Sequence, residues 1–159
     1  MLYSRIMGTG SALPKRVVTN LDLEKLMDTN DQWIRDRTGI CERRIIGPGE
    51  STTTLALEAC RNAMEAAAID PHEIDLFVLG TTTPDLIFPS SACLLQKELG
   101  LRDVGAMDIN AACSGFIYAL ETGSNYIKSG NYKYIAVIGA DKMSTITNYK
   151  DRNLSLIHI

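Results

Sequence analysis

The chain has 159 residues, of which 45% are hydrophobic and 22% charged, with a formal net charge of -3. That length buries one good core, so one domain or part of a larger one is expected. The mild acidity supplies no field for nucleic acid or anionic lipid, no apolar run approaches bilayer-spanning length, and Met1 to Thr9 lacks the basic and long apolar regions of a secretory signal.

Taken in chain order, the pattern alternates between strands and helices. Tyr3 to Gly8 reads as a first strand ending in Gly8-Thr9-Gly10-Ser11. Thr19 or Asn20 caps a short helix through Met27, with Asp22 and Glu24 in its first turn. Asn30 or Asp31 caps another, stopped by Gly39. Ser51 to Ala68 is a strong helix whose apolar face carries Leu55, Ala56, Ala59, Cys60, Ala63, Met64 and Ala67. Leu76 to Gly80 is a short strand, and Ser91 to Leu99 a helix with Gly100 just past its end. Gly105 to Ile109 is a strand, Ser114 to Ser129 a helix, and Tyr134 to Gly139 another strand.

The runs Leu76-Phe77-Val78-Leu79 and Tyr134-Ile135-Ala136-Val137-Ile138 are continuously apolar. Strands of that kind have both faces covered, as in a parallel sheet between helix layers. The helix from Ser114 carries Phe116, Ile117, Ala119 and Leu120 around much of its circumference, so burial between layers is expected for it.

Three stretches invite a chemical reading. Gly8-Thr9-Gly10 resembles the opening of a dinucleotide fingerprint, but the third glycine is absent and Pro14 stands where the phosphate-binding helix should run. A backbone turn that needs small residues is the better account. The block Asp28 to Ile40, followed by Glu42-Arg43-Arg44, sets the chain's only tryptophan, Trp33, among several arginines. An indole face and guanidinium planes can sandwich a purine, and the arginines can pair phosphates. Spacing alone favours a partly buried Trp beside solvated arginines.

The third stretch runs from Gly105 through Ala111-Ala112-Cys113-Ser114-Gly115-Phe116. It places a cysteine where a strand gives way to a helix. A thiol there faces unpaired backbone N–H groups and the positive end of the helix dipole, which favour the nucleophilic thiolate. A buried cysteine at a tight packing point fits the same window, and the window leaves both readings open. Cys41, Cys60 and Cys93 have wide, irregular spacing that suits neither a zinc site nor a disulfide scaffold. They read as packing or surface thiols in a reduced, cytoplasmic setting.

The chain resembles the N-terminal half of a β-ketoacyl-[acyl carrier protein] synthase III, the initiating condensing enzyme of type II fatty acid synthesis. The matching pieces are Gly8-Thr9-Gly10-Ser11-Ala12-Leu13-Pro14, the Asp28 to Ile40 block, Thr81-Thr82-Thr83 with Phe88-Pro89-Ser90, Ala111 to Phe116, Lys128-Ser129-Gly130 and Asp151-Arg152. They keep the family's order as far as Asn153. The resemblance implies an α/β, thiolase-like fold, here its N-terminal half, with a mostly parallel sheet and helices on both faces. It implies that Cys113 takes an acyl group from acyl-CoA as a thioester, with its own N–H as one oxyanion donor. By the same resemblance Trp33 stacks on the CoA adenine with Arg152 on the other face, Thr29 contacts the adenine, and Arg37 contacts the CoA phosphates. Phe88 resembles an aromatic that crosses a homodimer and lines the partner's acyl pocket. The expected partners are acyl-CoA as substrate and malonyl-acyl carrier protein as acceptor. No permanently bound cofactor, metal, nucleic acid or membrane is expected.

The family's thiolate works with a histidine and an asparagine from its C-terminal half. Here His72 lies in a polar turn and His158 in the final residues, neither within a family motif. Condensation by this polypeptide alone is therefore not expected. Residues 1–153 form the expected thiolase-like half. The tail Leu154-Ser155-Leu156-Ile157-His158-Ile159 translates a transposon mosaic end used in sequencing libraries, and an adapter scar is preferred to a divergent strand. The expectation is thus a truncated chain. Two alternatives stand beside the main reading: a related ketide synthase with another acceptor, and a non-catalytic CoA-binding fragment.

Overall fold

The structure is a computed structural model that describes residues 3–149. Two compact units emerge, one from residues 13–50 and 142–149, the other from 3–12 and 51–141.

In the first unit, β1 (Arg16–Thr19) pairs antiparallel with β2 (Glu42–Ile45), Arg16 opposite Ile45 and Thr19 opposite Glu42. Between them run α1 (Asn20–Glu24) and α2 (Asp31–Thr38). Thr19 caps α1 in a capping box with Asp22, and Asn30 caps α2, its side-chain oxygen accepting from Trp33 N–H at 2.8 Å. Gly39 ends α2 at φ 73°, the left-handed conformation glycine adopts without steric cost. These starts and stops are the expected ones, although α1 is shorter than the expected run to Met27.

Val18, Leu23 and Ile34 are buried at the centre, with Trp33, Ile45 and Tyr149 packed against them. Full burial of side chains this size stabilises by roughly 1.5–3 kcal/mol each. Buried Asn20 is the polar hub. Its amide donates to Asp31 and to the Ile40 carbonyl, both at 2.8 Å, and its oxygen accepts from Arg43 at 2.9 Å. A buried amide satisfied on three sides fixes α1, α2 and β2 against one another.

In the second unit, β3 (Leu76–Gly80) is the centre of a three-stranded parallel sheet, between β4 (Gly105–Ile109) and β5 (Ile135–Gly139). All of β3 is buried, and its alternate residues serve two different helix layers. Phe77 and Leu79 pack with Ala56, Cys60 and Met64 of α3 (Thr52–Ala67) and with Ala92 and Leu95 of α4 (Ser91–Glu98). Leu76 and Val78 pack with Ala119 of α5 (Gly115–Lys128) on the opposite side. The continuous apolar runs therefore mean what the sequence implied.

Two expectations change. Tyr3 to Gly8 is not a strand, because no described strand lies beside it to complete a ladder. Its Gly8 end lies against α3 instead. A Cβ on Gly8 would sit 2.7 Å from the Ala67 nitrogen, and one on Gly10 would strike the Ala59 carbonyl. The stripe Ala59, Ala63 and Ala67 permits this approach, which is why the turn needs glycine. Second, α5 is covered on one side only. Gly115, Ala119 and Gly123 are buried toward the sheet, while Phe116, Ile117, Tyr118 and Leu120 are exposed. One sheet face covers one stripe of a helix, and this helix is apolar on more than one. In addition, β1 and β2 are not anticipated from the sequence, being four residues each and paired across the whole of α1 and α2.

Candidate active site

The three parallel strands end level with one another, Gly80 aligned with Ile109 on one side and with Gly139 on the other. Crevices at the carboxyl ends of such strands are where open α/β sheets bind ligands. Cys113 lies at this edge. The chain leaves β4, forms a 3-10 turn over Ala112–Ser114, and enters α5 directly. Cys113 is exposed among the described residues. Ala112 just before it has φ 47°, the left-handed region that costs a residue with a Cβ. A strained residue beside a candidate nucleophile at a strand-to-helix turn resembles other nucleophile turns in layout.

The approach of α5 to the strand ends is set by small residues. Gly80 and Gly115 face each other, and a Cβ built on Gly80 would lie 2.6 Å from the Gly115 carbonyl carbon and 2.9 Å from Phe116 N. Only a bare backbone at position 80 lets the turn bearing Cys113 sit down on the sheet.

Three aspartates that the sequence did not single out hold the surrounding loops. Asp141, just after β5, accepts from the backbone N–H groups of Thr82 at 2.8 Å and Thr83 at 3.1 Å, and from the hydroxyls of Thr81, Thr82 and Thr83. Asp85 accepts from Thr52 N–H at 3.1 Å and Thr53 N–H at 2.8 Å, the first two residues of α3. Asp108 on β4 accepts from Ser91 N–H at 2.7 Å and Ala92 N–H at 2.8 Å, the first two of α4. Anionic oxygens on helix-start N–H groups are strong hydrogen bonds and complement the dipole. Between these anchors the tip Leu86-Ile87-Phe88 stands in solvent, with Phe88 88% exposed.

The residues expected at a nucleotide lie in the other unit. Trp33 and Arg37 are one turn apart on α2, and the Arg37 guanidinium carbon is 4.8 Å from the indole centroid. Thr29, just before the α2 cap, has a buried hydroxyl oxygen with no hydrogen-bond partner. The start of α2 is held by Asp31, which accepts from Arg35 at 2.7 Å. Arg35, then Asn20, keep the Asp31 carboxyl below its ordinary range. Arg152 lies outside the described residues, as do the 154–159 tail and His158.

His72, the one histidine among the described residues, is exposed in a 3-10 turn (Pro71–Glu73) ahead of β3, at the opposite end of that strand from Gly80. The fold therefore does not bring it to Cys113. Cys41 is exposed and takes a hydrogen bond from Arg35 at 3.1 Å, whereas Cys60 is buried and burial pushes its thiol up to about 11. Among the described residues, no cluster of three or more His, Cys, Asp or Glu could hold a metal ion, and no helix is long and apolar enough to cross a membrane.

Comparison with known proteins gives this arrangement a relative at every level. The family model for 3-oxoacyl-[acyl-carrier-protein (ACP)] synthase III matches residues 107–158, the stretch that contains Cys113. The β-ketoacyl-[acyl-carrier-protein] synthase III of Xanthomonas campestris pv. campestris (strain 8004) is 53% identical over 156 residues, covering 98% of this chain and 48% of the relative. The crystal structure of the Aquifex aeolicus VF5 3-oxoacyl-[acyl-carrier-protein] synthase III superposes with a TM-score of 0.91 at 51% identity, over 94% of this chain and 48% of that one. The priming β-ketosynthase of the R1128 polyketide pathway superposes with a TM-score of 0.92 at 37% identity, over 96% of this chain and 46% of that one. The chain thus spans about half the length of the curated relatives it matches. Its α/β architecture is thiolase-like, and nearly the whole chain is similar to about half the length of β-ketoacyl-[acyl-carrier-protein] synthase III enzymes.

Proposed function

We propose that this chain supplies the acyl-accepting side of a cytoplasmic, homodimeric condensing enzyme that initiates fatty acid synthesis. The observation that carries the reading is the exposed Cys113 on a strained turn at the carboxyl edge of the parallel sheet. The Cys113 thiolate attacks the carbonyl carbon of acyl-CoA. The oxyanion that forms is held by the Cys113 backbone N–H, and the tetrahedral intermediate collapses by expelling CoA thiolate, leaving an acyl thioester on the protein. Malonyl-acyl carrier protein then loses carbon dioxide. The resulting carbanion attacks that thioester and expels the Cys113 thiolate, giving the ketoacyl product.

In this reading the CoA adenine stacks on Trp33, Arg37 pairs the CoA phosphates, and Arg152 closes the other face of the base. Thr29, just before the α2 cap, contacts the adenine in the same reading. Phe88, on its exposed tip, lines the acyl pocket of a second copy. Decarboxylation builds charge on an enolate oxygen, and the donors for that oxygen come from residues other than His72.

The test is to incubate the complete enzyme with labelled acyl-CoA and map the adduct by mass spectrometry. The label is expected on Cys113 and is lost in Cys113→Ser. Label on Cys41, Cys60 or Cys93 with none on Cys113 would refute the assignment. A second reading, priming of a polyketide chain, draws on the likeness to the R1128 enzyme. It predicts turnover with a polyketide carrier protein and little with a fatty acid carrier protein.

A further inference from the structure

The loop between β3 and α4 carries a fully apolar tip that makes no core contact, on a base tied down by buried or charge-assisted hydrogen bonds. The tip is Leu86-Ile87-Phe88, with Leu86 50% and Phe88 88% exposed. Immediately before it, both oxygens of Asp85 are engaged by α3, one by Thr52 N–H at 3.1 Å and one by Thr53 N–H at 2.8 Å. Two residues earlier, the Thr83 carbonyl accepts from the buried Thr52 hydroxyl at 2.6 Å. Just after the tip, Ser91 and Ala92 are held by Asp108. A free apolar tip would collapse onto its own surface. This one stays exposed above a base fastened by these hydrogen bonds.

We propose that Asp85 is a positioning residue that sets acyl-chain selectivity by pinning the base of the loop that carries Phe88. The inference rests on the reading of Phe88 as a wall of the partner subunit's acyl pocket. A pocket wall discriminates chain length only if it stays in place when a longer acyl group presses on it, and a hydrophobic pocket separates homologues by modest factors that a small displacement erases. Asp85 sits one residue before the tip, and its two bonds run to the rigid start of a 16-residue helix. It touches no reacting atom in this reading. Its effect passes through Phe88.

The experiment compares acetyl-CoA with hexanoyl-CoA as competing primers for the complete dimeric enzyme. Asp85→Asn keeps one acceptor and turns an N–H toward the other backbone donor, so the anchor is half lost. The kcat/KM ratio of acetyl-CoA over hexanoyl-CoA is expected to fall about tenfold. Thr52→Val, which preserves shape and removes only the hydroxyl bond to Thr83, is expected to shift the ratio in the same direction and carries the test should Asp85→Asn fold poorly. In a Phe88→Ala background neither change is expected to move the ratio further, because the residue through which both act is gone. Equal losses with both primers, or an undiminished shift in the Phe88→Ala background, would overturn the role given to Asp85. A Phe88→Ala variant with unchanged selectivity would instead overturn the reading of Phe88, so the two failures are told apart.

Discussion

Gly80→Ala tests most directly how the turn bearing Cys113 is seated. The new methyl would lie 2.6 Å from the Gly115 carbonyl carbon, 2.7 Å from its oxygen and 2.9 Å from Phe116 N. All three are backbone atoms, which cannot turn aside as a side chain can. Ordinary contact begins near 3.4 Å, so the start of α5 must retreat by roughly 0.8 Å. Overpacking of this kind costs about 1–3 kcal/mol. The displaced segment carries Cys113, and a misplacement of about 1 Å at a reacting group can cost on the order of 10²-fold in rate. The control is Gly115→Ala on the facing side. There the Cβ would meet nothing closer than 3.5 Å, and the backbone is already helical at φ -52°, ψ -46°. Two glycines in mutual contact thus give opposite expectations. Denaturant titration of the purified variants, with the acylation rate of Cys113 followed by mass spectrometry, reads both effects. A Gly80→Ala variant within about 0.5 kcal/mol of the parent, or a Gly115→Ala variant equally damaged, would show that α5 is not seated as described.

Trp33→Ala in the complete enzyme is expected to weaken acyl-CoA binding by roughly 1–3 kcal/mol, the range for a base stacked on an aromatic ring. Reaction with a short pantetheine thioester, which lacks the nucleotide, should be spared, and equal losses with both substrates would mark Trp33 as structural. Cys60 gives a pH signature. Its folded-state value is raised from 9.0 to about 11 by burial, so the native protein keeps a proton that the unfolded chain releases. The stability linked to it is full below about pH 9 and is lost as the pH rises toward about 11. Cys60→Ala should flatten that alkaline limb of a denaturation-against-pH curve. An unchanged limb would mean that Cys60 does not contribute to it.

What the sequence discloses well is whatever chemistry is local. Thr19 and Asn30, one from each pair of cap candidates, cap the helices that follow, and Ser51 and Ser90 cap helices whose starts the pattern places within a residue. The turn that bears Cys113 is legible for the same reason, since a strand, small residues and a helix start are neighbours in the chain. Strand pairing is not local. Arg16–Thr19 and Glu42–Ile45 find each other only because α1 and α2 fold between them, and neither segment alternates strongly enough to announce itself. Tyr3 to Gly8 fails in the opposite sense, for it has a strand's composition and no neighbouring strand among the described residues.

The three aspartates show why the rest of the site stays hidden. Asp85, Asp108 and Asp141 look like ordinary solvated charges in the sequence, and each becomes an anchor only when another element presents unpaired N–H groups to it. Two of these donors are helix starts and the third is the triple-threonine loop. Parallel strands must end somewhere, and at their carboxyl ends the chain leaves the ladder with its backbone polar groups unspent. A carboxylate takes two or more such groups at once and pairs them strongly. The edge where Cys113 sits can therefore be made of loops and still hold its geometry. A sequence states which residues carry charge, but the donors that turn a charge into a fixed point come from the fold.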